Sequence, residues 1–471
     1  MIEPMILNNN LIQMKLLRNK SRKLDLFLSK FNLFARSKAT FTTLGKQSYP
    51  YNALSMGLLR FVFRRLNTSL AKVVLSIVLI CSVLYSQENN IELVESIPVE
   101  TSLDNPDIRN TQEVWLEMIN SAQKSLDIEQ FYISNEKGEP LDTVLNAIVV
   151  AANRGVIVRI IVDGEMFRTY PDDVTWLEQQ SKNITKHVID FKSLAGGIQH
   201  AKFFIVDGKE IFLGSQNFDW RALKHIHELG VRIKSSIVLR YLNMFNFDWY
   251  YSERNDGVNW LTDSSMVYAI RRNSQLIYTP VYDTINPIAV FSPKEFLIDG
   301  IFSKWDLTSI VKMIIEAKSE ITLQFLSYNP VTKDGYWEEI DTALINASKR
   351  GVKVKLLVSD WNLSKTAVEH FKELIKYPNF EVRYTSIPDY SGGFIPYARV
   401  EHCKFITADN YTWIGTSNMS HDYFYESRNV GLVVESEKFT QRVGDIFFKS
   451  WNSEYARPIE STGEYVPRRR E

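Results

Sequence analysis

Apolar and polar residues recur along the chain in two patterns, one with the period of a helix and one with the period of a strand. Residues 144–164 read VLNAIVVAANRGVIVRIIVDG, and residues 340–360 read IDTALINASKRGVKVKLLVSD. In both segments, apolar positions at helical spacing end at an Arg-Gly pair and give way to an alternating β-branched run. Gly155 and Gly351 fit the position just past a helix end. Each segment is therefore predicted to be a helix followed by a strand.

The residues that precede these segments also repeat. SAQKSLDIEQFYIS at 121–134 parallels EAKSEITLQFLSYNP at 316–330, and each reads as a helix end that leads into a strand. The chain thus contains two homologous halves, which we place at 109–285 and 286–471. Helix–strand–helix–strand order in each half predicts an α/β fold, with two lobes that each hold a mixed sheet packed between helices.

A further apolar stretch lies upstream of the repeats. Residues 73–85, VVLSIVLICSVLY, carry no charge, and the basic residues around them lie on the N-terminal side only. A helix of this length spans about 20 Å, against about 30 Å for a bilayer core, so the span must extend back to Leu70. The positive-inside rule then places the N-terminal side in the cytosol, which is a type II arrangement. We predict a basic cytosolic head over 1–69, a transmembrane signal-anchor over 70–86 and a stalk over 87–108.

Three other readings of this region stay open. A cleavable signal peptide that starts at Met56 would leave the body secreted. The head is poor in acids and contains serine and arginine, as transit peptides do. The apolar run also fits a buried core helix behind a disordered tail.

Composition is that of a globular protein. The 471 residues are 45% hydrophobic and 23% charged, which excludes a disordered, collagen-like or coiled-coil chain. A mean hydropathy of −0.17 excludes a protein with many membrane spans. The zero net charge hides an asymmetry, since residues 1–72 hold 13 Lys and Arg against two acids, or +11, and the remainder carries −11. An acidic body disfavours long-range capture of nucleic acid but allows a small site that grips one phosphate.

Cysteines and sequons say little about the compartment. Cys81 and Cys403 are the only cysteines in the sequence, so the body has no internal disulfide framework. A body of this size can be held by its core alone, and a lumenal location is neither required nor forbidden. Glycosylation sequons, which are weak indicators, start at Asn183, Asn346, Asn362, Asn410 and Asn418.

The repeat continues into a chemical motif that occurs once in each half. Residues 200–217 read HAKFFIVDGKEIFLGSQN, and residues 402–418 read HCKFITADNYTWIGTSN. Both contain His-x-Lys-x4-Asp and then a glycine and an asparagine near the end of the next strand. Alternate residues of a strand share a face, so each histidine points the same way as its lysine. The motif residues are His200, Lys202, Asp207, Ser215 and Asn217 in the first half, and His402, Lys404, Asp409, Ser417 and Asn418 in the second.

The paired set suits a reaction at phosphorus. Two lysines and two amides form a cage for an anion with distributed charge, one histidine can attack phosphorus, and the other can protonate the leaving oxygen. Each histidine needs a partner that fixes its tautomer, and Glu228 and Glu426, which follow the two motifs, are the candidates. Asp207 and Asp409 fall at predicted hairpin turns, where we expect them to hold the turn rather than to react.

Rival readings of the same residues are weaker. A metal site is disfavoured because the lysines repel cations and no cluster of Cys and His has ligand spacing. Cys403 alternates with the two motif residues on its strand and is predicted to lie in the core. His225 and His227 fall outside the twin pattern and are predicted to be surface or supporting residues. The aromatic residues just past the motifs either stack on a substrate base or pack in the core: Trp220, Tyr423, Phe424 and Tyr425.

The twin motif resembles the His-Lys-Asp signature of the phospholipase D superfamily, over about residues 109–457. The stretches GSQNFDWRALKHIHELGV, IPYARVEHCKF, IGTSNMSHDYF and WNSEYA are similar to the single-pass, type II phospholipase D-like proteins of endolysosomes. The resemblance implies two pseudo-two-fold-related lobes around one shared active site, a covalent phosphohistidine and no metal or other cofactor. It makes His200 and His402 nucleophile and general acid, and we assign the nucleophile to His200.

The subgroup it resembles removes nucleotides from the 5′ end of single-stranded DNA and RNA in an acidic lumen. That makes single-stranded nucleic acid the expected substrate, and the route from endoplasmic reticulum and Golgi to the endolysosome the expected location. Hydrolysis or transphosphatidylation of phosphatidylcholine and related phospholipids is the alternative. A catalytically silent membrane protein that uses the fold for binding is a minor one. The lumenal disulfide cysteines of animal members are missing from this chain.

Overall fold

The structure is a computed structural model that describes residues 90–253, 286–298, 303–332 and 335–471. The predicted head over 1–69 and signal-anchor over 70–86 lie outside the described residues. In the part of the chain that is described, no helix combines the length and the apolar character that crossing a membrane requires.

The first lobe is built on an eight-stranded mixed sheet in the order β2-β1-β10-β8-β7-β3-β5-β6. Strands β3, β5 and β6 run parallel, β7 pairs antiparallel with β3, and β7 and β8 form an antiparallel hairpin. The strands are β1 Asn90–Ser96, β2 Arg109–Asn110, β3 Ser125–Gln130, β4 Ile133–Ser134, β5 Ile157–Asp163, β6 Ile184–Ile189, β7 Phe203–Val206, β8 Glu210–Gly214, β9 Phe218–Asp219 and β10 Glu228–Lys234. The helices are α1 Thr111–Ser121, α2 Pro140–Asn153, α3 Gly164–Thr169, α4 Asp172–Gln180, α5 Phe191–Ala195 and α6 Val238–Glu253.

The second lobe repeats this topology in the order β11-β19-β18-β17-β12-β15-β16-β20. Its strands are β11 Asn286–Ser292, β12 Glu320–Phe325, β13 Val331–Thr332, β14 Gly335–Tyr336, β15 Lys353–Ser359, β16 Phe380–Thr385, β17 Phe405–Ala408, β18 Tyr411–Gly415, β19 Asn429–Glu435 and β20 Ala456–Pro458. Its helices are α7 Asp306–Glu316, α8 Glu339–Lys349, α9 Lys365–Leu374, α10 His421–Tyr425 and α11 Glu437–Trp451, with 3-10 turns at Lys294–Phe296 and Asp360–Asn362. The predicted α/β class and the two similar lobes with mixed sheets are confirmed.

The helix ends predicted from the repeat form as expected. Helix α2 stops at Asn153 and helix α8 at Lys349, and the glycine two residues beyond each has a left-handed backbone, with φ of 106° at Gly155 and 98° at Gly351. A residue with a Cβ is strained in that conformation, so glycine is favoured where the chain turns from helix into strand.

The prediction of a stalk over 87–108 was wrong. Residues Asn90–Ser96 form β1, which pairs antiparallel with β10 along its whole length. Its counterpart in the second lobe is β11, which pairs in the same way with β19. The repeat therefore begins before residue 109. The available signal was the alternation of the apolar Ile91 and Leu93 with the polar Asn90 and Glu92.

Three apolar clusters hold these layers. One lies between the first sheet and the outer helices α1 and α2, and a second lies between the other sheet and α7, α8 and α9. The third packs the inner helices α6 and α11 against the facing sides of both sheets, so the two lobes share one continuous core. Because that core crosses the lobe boundary, the position of one lobe relative to the other is set by close packing.

The lobes also exchange backbone hydrogen bonds at a pseudo-two-fold axis. The His200 amide donates to the Arg428 carbonyl at 2.9 Å, and the His402 amide donates to the His227 carbonyl at 2.9 Å. Each motif histidine is thus bound through its backbone to the residue that precedes a strand of the opposite lobe. This exchange brings the two copies of the motif together.

Candidate active site

The two motif segments have the same local structure. His200 and Lys202 lie in extended chain just before β7, and His402 and Lys404 lie just before β17. Each lysine ammonium donates to the carbonyl of its own histidine, at 2.8 Å for Lys202 and 2.9 Å for Lys404. This fixes each lysine on the side of the chain that its histidine occupies, as the strand pattern predicts.

His200 takes its orienting partner from the other lobe, and that partner is an amide. Its Nδ1 lies 3.1 Å from Oδ1 of Asn429, the first residue of β19. The amide is itself held, because Oδ1 accepts from the Thr416 hydroxyl at 2.8 Å and Nδ2 donates to the Tyr423 carbonyl at 2.9 Å. An amide oxygen only accepts, so His200 carries its proton on Nδ1 and keeps a lone pair on Nε2.

His402 also reaches across the lobe boundary, but its partner is a carboxylate. Its Nδ1 lies 2.7 Å from Oε2 of Glu228, the first residue of β10. Glu228 is fully buried, and burial raises the pKa of its carboxyl well above the ordinary value, against the opposing effects of Lys404 and Ser215. The pair of His402 and Glu228 therefore retains a proton, whereas the pair of His200 and Asn429 has no acidic group that could hold one.

The assignment of Glu426 was wrong. It is half exposed, and His421, at 4.0 Å, is its ion-pair partner among the described residues. The counterpart of Glu228 is Asn429, because both residues open the strand that follows the motif. The sequence signal was available in the alignment of ELGV with NVGL, which begins three residues beyond Glu426.

Burial and like charges keep both histidines neutral while the site holds no anion. Burial lowers the pKa of His200 and of His402 well below the ordinary value, and the ammonium groups of Lys202 and Lys404 lower both further. Burial also lowers the pKa of Lys404 to about 8, and it lowers that of Lys202 well below its usual range, with the charge of Lys404 adding to the effect. Two buried ammonium groups close to each other favour an anion between them.

The motif asparagines are buried and keep free acceptor atoms. Asn217 and Asn418 are 8% and 3% exposed, and in the part of the chain that the structure describes neither Oδ1 has a hydrogen-bond partner. The Nδ2 of Asn418 donates to the Tyr423 hydroxyl at 3.1 Å. Ser215 bonds the Leu229 backbone at the foot of Glu228, and Ser417 is buried beside Asn418. Asn418 is thus linked to His200 through Tyr423, and Ser215 lies beside Glu228, while Asn217 and Ser417 stay predictions as site residues.

The motif aspartates lie at the end of the hairpins away from the histidines, where they hold the turns as the sequence predicts and take no part in catalysis. The Asp207 carboxylate accepts from the amides of Gln123, Lys124 and Ser125, and Asp409 accepts in the same way from the amides of residues 318–320. Both have a positive φ, 53° and 52°. They tie each β-hairpin to the start of the neighbouring strand.

Aromatic rings flank His200. The ring of Phe131, which follows β3, lies 5.0 Å from the imidazole, and the Tyr423 ring lies 4.9 Å away on the side of the other lobe. Phe131 also faces the Lys202 ammonium at 5.1 Å. Sequence reasoning missed Phe131 because nothing in the motif points to it. Of the four aromatics left undecided, Tyr423 lines the site and Phe424 lies in the core of the second lobe.

His227 is not a surface residue, as it is 1% exposed and lies behind the site. Its Nδ1 bonds Glu401 at 2.8 Å and its Nε2 bonds Glu95 at 2.9 Å. Burial alone would lower its pKa, but Cys403 and the Glu401 carboxylate hold the pKa well above its ordinary value. Both ring nitrogens are committed to carboxylates and burial raises the pKa of the Cys403 thiol, so this buried group fits an imidazolium held by two acids better than a metal site.

A second buried cluster occupies the pseudo-two-fold-related position. Arg428, the counterpart of His227, is fully buried and pairs with Asp248 at 2.8 Å. Glu129 lies beside them, where it accepts from Gln199 at 3.0 Å, and burial raises the pKa of its carboxyl well above the usual value. At one of these two related positions the lobes are thus joined through a permanent cation, Arg428, and at the other through a titratable one, His227.

Comparison with known proteins agrees with this arrangement. A family model described as "Cardiolipin synthase, PLD-like domain" matches residues 115–249 and 310–451, one block in each lobe and more than half of the chain together. Phospholipase D Y of Dictyostelium discoideum is 30% identical over 413 residues, which cover 80% of this chain and 93% of that protein. The virion nicking-joining enzyme of vaccinia virus (strain Western Reserve) is 30% identical over 405 residues, or 80% and 91%. The 5′-3′ exonuclease PLD3 of Macaca fascicularis is 29% identical over 410 residues, or 79% and 81%.

Proposed function

The chain belongs to the phospholipase D superfamily and is a phosphodiesterase, and from that premise we propose that it removes nucleotides from the 5′ end of single-stranded DNA or RNA through a phosphohistidine. One observation carries the mechanism. Two buried histidines share a site with two lysines, and one histidine is oriented by the Asn429 amide while the other is oriented by the Glu228 carboxyl.

That difference assigns the roles. His200 has no group beside it that holds an extra proton, so its Nε2 lone pair is free to attack phosphorus. A bound phosphodiester brings negative charge that offsets Lys202 and Lys404, and this raises the pKa of both histidines. The proton retained by the Glu228 pair is then available on His402, which makes His402 the general acid.

The reaction runs in two balanced steps. In the first, a bond forms between Nε2 of His200 and phosphorus, the bond from phosphorus to the leaving oxygen breaks, and His402 protonates that oxygen. In the second, water attacks phosphorus and gives its proton to His402, the phosphorus–nitrogen bond breaks, and a phosphate monoester leaves. The ammonium groups of Lys202 and Lys404 and the Nδ2 groups of Asn217 and Asn418 donate to the phosphoryl oxygens and stabilise the charge that builds on them.

Two considerations favour nucleic acid as the substrate. The rings of Phe131 and Tyr423 on either side of His200 suit a nucleobase next to the reacting phosphate. Two of the similar proteins carry nucleic-acid activities in their names, an exonuclease and a nicking-joining enzyme. A phospholipase D activity is the second candidate, and it is favoured by the name of the Dictyostelium protein, which this chain matches over 93% of that protein's length.

One assay separates the two substrates. The purified full-length protein is incubated at pH 5 with a labelled single-stranded oligonucleotide and, separately, with phosphatidylcholine and ethanol. Release of mononucleotides from the 5′ end supports the proposal, and formation of phosphatidylethanol without nucleotide release overturns it in favour of the lipid reaction. The His200→Ala variant serves as the control for a contaminating nuclease.

We also propose that the body lies in the lumen of the endolysosomal system behind a single signal-anchor over 70–86, with the basic head in the cytosol. The support is the charge asymmetry, since all the basic residues that flank the apolar run precede it. The test is protease digestion of intact vesicles that carry a tag at the N-terminus. A tag that is digested while the body is protected supports this topology, and a protected tag contradicts it.

A further inference from the structure

A series of aromatic rings leads away from His200 along the first lobe. Phe131 lies 5.5 Å from Tyr132, and Tyr132 stacks on Tyr170 with ring centres 4.9 Å apart and planes inclined by 22°. Tyr132 follows β3, and Tyr170 lies in the connection that follows β5. Both are therefore at the carboxyl ends of parallel strands, the edge of an α/β sheet at which ligands bind.

Loops of the second lobe continue this surface. Trp361 follows β15, and Phe394 and Tyr397 follow β16, so they lie at the carboxyl ends of the matching parallel strands. Phe394 and Tyr397 are 41% and 38% exposed, although both are large rings. The loop meets the first lobe at Arg221, whose guanidinium donates to the Pro396 carbonyl at 3.4 Å. The rings of the two lobes thus belong to one face of the molecule.

Arginines are interleaved with the exposed rings. The guanidinium of Arg469 lies 5.0 Å from the centre of the Phe394 ring, and that of Arg470 lies 5.3 Å from the Trp361 ring. The chain near them is held in place, because the Tyr397 amide donates to the Arg470 carbonyl at 2.9 Å. Arg468, by contrast, is already neutralised by Asp389 and Asp360.

The two arginines of this face are exposed but already contact main-chain oxygens. Arg469 donates to the main-chain oxygen of Glu471 and Arg470 to the Trp361 carbonyl at 2.9 Å, and in the described part of the chain neither forms an ion pair with an acidic side chain. The carboxylate of Glu471 lies at the same loop, where it accepts from the Tyr397 hydroxyl. Glu471 offsets part of this charge, and two exposed guanidinium groups on a body of net negative charge still mark a place where a polyanion is less repelled.

We infer that this aromatic–arginine face, formed by Tyr132, Tyr170, Trp361, Phe394, Tyr397, Arg469 and Arg470, binds the part of a single-stranded nucleic acid that extends beyond the nucleotide at the active site. Rings serve as platforms for successive bases whatever their sequence, and the guanidinium groups bind the phosphates between them. The inference rests on the proposed function. Contacts beyond the active-site nucleotide favour nucleic-acid strands over small phosphodiesters as substrates. Surfaces that bind anionic membranes also combine aromatic rings with basic residues, so binding to anionic vesicles is the competing outcome.

The test compares two double variants of the full-length protein, each of which loses one exposed ring and one cation. Phe394→Ala/Arg470→Ala removes part of the face, and Tyr250→Ala/Lys438→Ala removes exposed residues on helices α6 and α11. KM is measured for a dinucleotide and for a dodecanucleotide of the same base. We expect the ratio of the longer to the shorter substrate's KM to rise about tenfold in the first variant, as the loss of one stacked base and one phosphate contact requires.

Salt provides a second readout. Removing one phosphate contact lowers the slope of log KM against log salt concentration by about 0.7 for the longer substrate. The Tyr250→Ala/Lys438→Ala control is expected to match the wild type in both measurements. An unchanged KM ratio and salt slope in Phe394→Ala/Arg470→Ala, with oligonucleotide cleavage intact, overturns this inference and leaves the proposed function standing.

Two further outcomes are distinguishable. If the wild type cleaves neither the dinucleotide nor the dodecanucleotide, the proposed function fails, and this inference fails with it. If the first variant loses binding to anionic phospholipid vesicles while its oligonucleotide KM is unchanged, the face binds membranes, and the assignment to nucleic acid is wrong.

Discussion

The two halves of the active site share one backbone geometry and differ in one side chain. In each, a buried histidine donates its backbone amide across the lobe boundary and turns Nδ1 toward the first residue of the opposite lobe's strand. That residue is Asn429 for His200 and Glu228 for His402. A duplicated half-site is thus given two chemical roles by a carboxyl in one copy and an amide in the other, because only the carboxyl retains a proton.

The largest expected effects are those of replacing either histidine, and the two variants should differ in how their activity depends on the leaving group of the substrate. His200→Ala removes the nucleophile, so turnover should fall at least about 10³-fold with every substrate. His402→Ala removes the general acid, which contributes about 10²–10⁴-fold when the leaving oxygen is an alcohol and far less when it is a nitrophenol. Because His402 also accepts a proton from water in the second step, the check is the pre-steady-state rate at which the first leaving group is released from a nucleotide nitrophenyl ester and from an oligonucleotide. Equal losses in both variants with the nitrophenyl ester would contradict the assignment.

The second comparison removes the carboxyl beside His402 and introduces one beside His200. Glu228→Gln leaves His402 without a partner that holds its proton, so kcat should fall by about 10²-fold and the alkaline limb of the pH profile should move to lower pH. Asn429→Asp places a carboxylate beside His200 and raises the pKa of His200, so activity should fall in acid and recover as the pH rises. The measurement is kcat from pH 4 to pH 8.

Glu426→Gln is the matched control for this pair, because that carboxylate is half exposed and contacts neither histidine of the motif. It is expected to keep the wild-type profile. Shifts of the same sign in Glu228→Gln and Asn429→Asp would show that His200 and His402 do not divide the roles of nucleophile and acid in this way.

The third comparison concerns the clusters behind the half-sites. The pKa of His227 is raised above its unfolded value, so the stabilisation from its bonds to Glu95 and Glu401 is complete below about pH 6.5 and is lost as the pH rises through the raised pKa. His227→Gln should therefore destabilise the protein by about 2 kcal/mol at pH 5 and by less at pH 9. Urea unfolding at the two pH values checks the sign.

The neighbouring His225 supplies the control for that experiment. It is equally buried, but its imidazole packs against Trp220 and Tyr390 rather than between carboxylates, and burial lowers its pKa to about 4. The folded imidazole is therefore neutral at both pH values, whereas the unfolded one is protonated at pH 5, so the wild type is less stable at pH 5 because of His225. The cost of His225→Gln should be smaller at pH 5 than at pH 9, which is the opposite trend to that of His227→Gln. A pH-independent cost of His227→Gln would rule out the imidazolium between two acids.

The last comparison concerns the first residues of helices α1 and α7. Burial raises the pKa of Asp306 to about 7, while the counterpart in the first lobe is the uncharged Thr111. A raised carboxyl pKa means that the folded state loses stability as the pH rises from about 4 to 7. Asp306→Asn should remove this loss, with a gain over wild type of up to about 4 kcal/mol at pH 8 and almost none at pH 4. Thermal unfolding across that range measures the difference.

Much of the fold was predictable because it is encoded by local pattern. The helix that ends before Gly155, its copy before Gly351, and the hairpins that carry the two motifs follow from periodicity and turn residues within about 20 neighbouring positions. The stalk was misread for a related reason. The local signal in strand β1 is only the brief alternation of Ile91 and Leu93 with Glu92, and its pairing partner β10 lies more than 130 residues away, so no nearby segment indicates the pairing.

The sequence alone established that the protein is a duplicated α/β fold with twin His-Lys pairs, since those features are written in residue type and spacing. Only the tertiary structure decided which group orients each histidine, because Glu228 and His402 are 174 residues apart and Asn429 and His200 are 229 residues apart. Proximity in the chain pointed instead to Glu426, within its own lobe. Packing across a pseudo-two-fold axis joins residues that share no local pattern, and in this protein those contacts determine how the proton is held.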